Sequence, residues 1–151
     1  MEFGSIEREV LVEAAPEVVY DVVSSPEHIK QWWSDDAAFG SAEGDSGTLT
    51  FGGGVARLTV VVADPPRTFS FRWTDEPGDG PVGGHSLLVT FELVPRDGAT
   101  LIKLTESGFR ERGWEAAVLE EAYADHIVGW DTFVPRLAAY VGGLPARTEA
   151  S

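Results

Sequence analysis

The 151-residue chain contains no cysteine. Disulfides, thiolate nucleophiles and cysteine-ligated metals are therefore excluded. Basic side chains are also scarce: 11 Lys and Arg stand against 25 Asp and Glu, a formal charge of −14. Such a surface repels phosphate backbones and anionic headgroups, which argues against nucleic-acid or membrane-surface binding. It suits either steering of a cationic partner or plain solubility. Long apolar runs are missing too. No stretch approaches the ~20 residues of a membrane span, and the first residues lack the basic and apolar regions of a signal peptide. The expectation is a cytoplasmic protein.

Other chemistries lack their signatures. The three histidines, His28, His85 and His126, have no metal-ligand spacing, so no metal and no cofactor is expected. Gly52-Gly53-Gly54 reads as a turn rather than a phosphate loop, because no Lys-Ser/Thr and no helix follow it. Asp75, Asp79 and Gly80 lack the closing acid of a calcium loop, where Ser86 stands. No serine sits in a nucleophile-elbow context.

What is present is ordinary in bulk, with 43% hydrophobic and 24% charged residues, and unusual in one place. Pro65-Pro66-Arg67 opens a strand in which Phe69, Phe71 and Trp73 recur with period two, so three aromatics share one face. Either a helix or a ligand held beneath a helix must cover them.

The rest of the chain supplies the cover. Residues 1–5 read as a cloning remnant, 6–142 as one domain and 143–151 as a flexible tail. Ile6 to Val12 alternates as a half-buried strand; Pro16 opens a short helix with Val18, Val19, Val22 and Val23 as its stripe; a second spans Glu27 to Trp33. Residues 34–47 are small, acidic and glycine-rich and read as a loop. Strands follow over 48–51, 55–63, 68–73, 86–94 and 100–109, with Arg96-Asp97-Gly98 as a hairpin turn. Both faces of 55–63 are apolar, so its inward side stays open. From about Gly113 to Val141, Leu119, Tyr123, Ile127, Trp130, Phe133 or Val134, Leu137 and Val141 recur at helical spacing. The fold class is α+β: a six-stranded antiparallel sheet wrapped around a long C-terminal helix, a helix grip.

Several pieces carry a family resemblance. They are Ala15-Pro16-Glu17-Val18-Val19-Tyr20, His28-Ile29-Lys30-Gln31-Trp32-Trp33, Asp64-Pro65-Pro66-Arg67 with Phe71 and Trp73, Val89-Thr90-Phe91-Glu92-Leu93, Thr100 through Gly108, and His126-Ile127-Val128-Gly129-Trp130. In this order and spacing the chain resembles the START-like, birch-pollen-allergen-like superfamily (SRPBCC), in the branch named for the activator of heat shock protein 90 ATPase. That superfamily includes lipid and hormone carriers and polyketide cyclases and aromatases. The resemblance implies a hydrophobic cavity between the long helix and the sheet. Stimulation of a chaperone ATPase belongs to larger eukaryotic members with an additional domain and is not expected here.

Glu106 is the sharpest oddity, because alternation places its carboxylate on the face of Ile102 and Leu104, where a charge is costly unless paired. Arg8, on the apolar face of the first strand, has the same difficulty. The resemblance implies that first and last strands pair, so these two charges are candidates to meet. His126 lies one turn before Trp130, and Tyr123 one turn earlier still. Each of Glu106, His126 and Tyr123 suits either a pocket or a structural bond. Trp32, Trp33, Phe71, Trp73, Trp114 and Trp130 suit either a cavity wall or core packing. The candidate ligand-binding set is Trp32, Trp33, Phe71, Trp73, Val89, Phe91, Glu106, Tyr123, His126 and Trp130. The function expected is binding or sequestration of a small hydrophobic or aromatic molecule by a monomer or weak homodimer. The alternative is a cyclase/aromatase-like enzyme with Glu106 and His126 as acid–base groups. A third is an interaction protein presenting its acidic face to a basic partner.

Overall fold

Alternation in the first strand is realised as β1, Ser5–Val12, with Ile6 and Val12 buried and Glu7, Glu9 and Leu11 exposed. The computed structural model describes residues 5–52, 54–74, 87–108 and 116–143. After β1 come α1 (Pro16–Ser24), α2 (Pro26–Trp32), β2 (Asp36–Phe39), β3 (Ser46–Phe51), β4 (Gly54–Asp64), β5 (Thr68–Thr74), β6 (Leu87–Arg96), β7 (Ala99–Ser107) and α3 (Ala116–Gly142). Ser5 opens β1, opposite Ser107.

The strands form one antiparallel sheet in the order β1-β7-β6-β5-β4-β3-β2. First and last strands pair, as the resemblance implies. The described sheet has seven strands, not six. The addition is β2, within the segment read as a loop. Asp36-Ala37-Ala38-Phe39 has no β-branched residue and carries little strand signal of its own. Its pairing rests on close backbone approach to β3, in which Phe39 stands opposite Gly47. A Cβ at Gly47 would run into the Ala38 carbonyl and Phe39, so glycine there lets the strands meet.

Two other local features set the register. Asp97 and Gly98, with φ of 48° and 85°, form the two-residue turn joining β6 to β7. Positive φ at both positions gives the twist that antiparallel neighbours require. In β4 the pairing with β5 shifts between Val60 and Val62. Ala56, Leu58 and Val60 are buried ahead of this bulge, while Val61 is 42% exposed. The inserted residue flips side-chain parity. That is why periodicity could not choose an inward face for this strand.

The helices close the inner face. Val19, Val22 and Val23 of α1 join Phe69, Phe71, Val89, Phe91, Ile102 and Leu104 in the core. Trp32 is buried and donates its indole N–H to the Val22 carbonyl at 3.1 Å, locking α2 to α1. The 27-residue α3 is ~40 Å long and contributes Trp130, Leu137 and Val141 to the same core. It continues through Pro135, which has no N–H to return to the Asp131 carbonyl. No helix among the described residues is long and apolar enough to cross a membrane.

Candidate functional site

The site is built outward from Glu106. Strand alternation in β7 turns Ile102, Leu104 and Glu106 inward, and the last has no exposed surface. Its strand neighbours are Ile6 on β1 and Val89 on β6, neither of which offers a polar partner. Partners arrive from elsewhere. Trp73, near the end of β5, donates its indole N–H to Oε2 at 2.8 Å. Trp130 of α3 donates to Oε1 at 2.8 Å, and His126, one turn earlier, places Nδ1 2.7 Å from the same oxygen. A carboxylate only accepts, so Nδ1 carries the proton in this contact. Three donors on two oxygens satisfy a group that would otherwise be costly to bury.

Arg8 does not meet Glu106. It lies opposite Leu104 in the β1–β7 register, and its Nε is 2.7 Å from Oδ1 of Asp131 on α3. The helix supplies an acid at the flank of β1 before the arginine can turn toward the strand end. This contact holds the Asp131 carboxyl below its usual range, chiefly through the hydrogen bond from Arg8, with burial opposing the shift and the Arg8 charge adding a smaller pull. Tyr123 also reaches β1, donating its hydroxyl to the Ser5 carbonyl at 2.7 Å.

Rings surround the carboxylate's donors. Trp33, just past the end of α2, lies with its ring centroid 5.1 Å from both Trp73 and Trp130 and 5.5 Å from Phe51 of β3. The His126 ring is 5.7 Å from that of Trp73. Beside this group a cleft of about 250 Å³ opens between α3 and the sheet, lined by Trp33, Phe51, Trp73, Asp125, His126, Gly129, Trp130 and Phe133.

Of the expected site residues, Trp33, Trp73, His126 and Trp130 line this cleft, and Glu106 stands behind them. Phe71, Val89 and Phe91, at 1%, 0% and 1% exposure, lie in the packed core instead. Trp32 is spent on the α1–α2 lock and edge contact with Phe91. His28 is bound to the Tyr140 hydroxyl at 2.7 Å, joining α2 to α3. His85, Trp114, Asp75 and Asp79 lie outside the described residues. Asp125, Gly129 and Phe51 escaped the sequence reading. A glycine amid the long helical pattern was the signal available for one of them, since it costs helix stability unless the missing side chain has a use.

The family described as "Activator of Hsp90 ATPase homolog 1-like protein" matches residues 13–142. The chain belongs to this family. Several solved structures share the fold of this Hsp90-ATPase-activator-like chain. A protein from Mesorhizobium loti is 24% identical, with 91% of this chain and 96% of that one covered and a TM-score of 0.75. The Aha1 dimer from Colwellia psychrerythraea is 21% identical over 93% of this chain and 98% of that one, with a TM-score of 0.71. DynU16, a protein of the dynemicin biosynthetic locus, is 24% identical with a TM-score of 0.71; the match covers 93% of this chain and 48% of DynU16. At these identities the likeness establishes the fold alone. No curated protein matches the chain.

Proposed function

We propose that the chain binds a small hydrophobic or aromatic molecule in the cleft between α3 and the sheet. The observation carrying this reading is a set of rings left partly uncovered around one opening. Phe51, Trp73 and Phe133 are each only half-buried, whereas Phe69, Phe71 and Phe91 are packed away. Rings of that size are normally covered unless a partner covers them in turn. The cleft, about 250 Å³, is just below the roughly 300–1,000 Å³ usual for whole small-molecule sites, so it suits one end of a ligand. Glu106 fixes the orientation of Trp73, Trp130 and His126 and is itself too buried to touch the ligand. Cytoplasmic residence and weak self-association belong to the same reading, the latter supported by the dimeric Aha1 relative. The test is native mass spectrometry of freshly purified protein, followed by titration with a hydrophobic dye. A retained small molecule or saturable dye uptake is expected; neither would survive as a reading if both experiments were blank.

The His126–Glu106 contact favours a second reading, a cyclase/aromatase-like enzyme. A carboxylate that holds one imidazole nitrogen sets the tautomer and aims the other ring nitrogen. In that case His126 is the acid–base group and Glu106 a positioning residue. Chemical change in a recovered ligand, lost in His126→Ala, separates turnover from binding.

A further inference from the structure

Rings and charges at the cleft point to the sign of the ligand. Phe51, Trp73 and Phe133 present partly exposed rings to it, and Asp125, an exposed acid, is part of its lining. Among the described residues that line it, none is Lys or Arg. Behind the rings lies the Glu106 carboxylate, which draws the indole N–H groups of both Trp73 and Trp130 toward itself. An aromatic face is electrostatically negative, and an indole that donates its N–H to a carboxylate gains further π-electron density. His126 is the remaining titratable group in the lining, and its Nδ1 is held against the same carboxylate. One ring of the cleft already holds a cation: the Arg136 guanidinium lies over Phe133, 5.4 Å from its centroid.

We propose that this cleft selects a ligand whose head is a cation, an amine or quaternary ammonium group on an apolar or aromatic body. This rests on the small-molecule reading above and adds the chemical class. A cation gains from ring faces that a neutral head would merely touch, and gains again from Asp125 at short range. An anionic head meets like charge at the lining and across a surface of net charge −14. The modest volume, about 250 Å³, accommodates such a head.

The test uses three probes that share a benzyl body: benzyltrimethylammonium, its uncharged carbon isostere neopentylbenzene, and phenylmethanesulfonate. Binding to the full chain is followed through the shifts of the indole N–H proton resonances. The cation is expected to bind about ten-fold more tightly than the isostere, with the sulfonate weakest. Asp125→Asn, a change at an exposed position of the lining, should narrow that gap. The advantage should also shrink as salt is added. Equal binding of cation and isostere overturns the cationic preference while leaving hydrophobic binding intact. A gap unaltered in Asp125→Asn overturns the part assigned to that acid. Failure of all three probes to bind overturns both the preference and the reading beneath it.

Discussion

The imidazole of His126 and the carboxylate of Glu106 lie 2.7 Å apart, Nδ1 to Oε1, across the junction of α3 and β7. With Trp130 on the same oxygen and Trp73 on the other, a single buried side chain ties the long helix to two strands. The contact serves architecture and site together.

Replacing Glu106 by Gln therefore tests architecture first. The amide preserves shape but turns a donor toward at least one of the three N–H groups that now point at an acceptor. A loss of about 1–3 kcal/mol is expected in chemical denaturation, the range for a buried hydrogen-bonding group left unpaired. A loss under about 0.5 kcal/mol would mean the carboxylate is not the tie described.

Trp130 is 3% exposed, donates to Glu106 and packs against Trp33 and Phe91. Trp130→Ala should cost about 3–5 kcal/mol, as expected when a large buried ring is deleted. Denaturant unfolding measures it, and a loss below about 1 kcal/mol contradicts its placement in the core.

Gly129 has no steric reason to be glycine. An added Cβ would meet only Phe133 Cε2, at an ordinary 3.9 Å. Gly129→Ala should accordingly leave the fold unchanged or stabilise it by up to about 1 kcal/mol, the usual helix-interior difference. Gly129→Leu should fill the cleft and abolish uptake of the hydrophobic dye. Undiminished uptake by a folded Gly129→Leu protein would place the binding surface elsewhere.

Two groups give opposite pH signatures. Asp131 titrates below its ordinary value of 3.8, because Arg8 donates to it. Its stabilising contribution is present above that value and disappears as pH falls through the lower folded one. Both side chains are substantially exposed, so Asp131→Asn should cost less than about 1 kcal/mol at neutral pH and flatten the acid limb of the stability curve. Tyr20 behaves in the opposite sense: burial first, then the nearby Asp64 and Glu43 charges, raises its phenol above 10.0. Its neutral form favours the fold, a contribution present below 10 and lost as pH rises through the folded value. Among the described residues the buried hydroxyl has no hydrogen-bond partner. Tyr20→Phe should stabilise the fold by about 1 kcal/mol and remove the alkaline decline. Thermal unfolding across acid and alkaline pH checks both.

The sequence made much of this legible through periodicity. The aromatic alternation of β5, the inward parity of Glu106 and the helical stripe through Trp130 each followed from side-chain spacing. What stayed hidden depended on contacts between segments. β2 forms because Gly47 admits it, and the bulge at Val61 breaks a parity that sequence alone would carry through. Arg8 looked like a partner for Glu106 because both break an apolar face, but only the helix register shows that Asp131 intercepts it. Phe71, Val89 and Phe91 share the inward parity of Trp73, and parity cannot say which rings a helix will cover.

That two indoles share one acceptor has a practical consequence. Any event that moves the Glu106 carboxylate, or changes its charge, alters the electric field along two N–H bonds at once. Trp73 and Trp130 are two of the five tryptophans in the chain, and both report on the same few ångströms. The chain thus carries its own optical gauge: part of its intrinsic emission, the share from these two indoles, answers to the state of the site without any label.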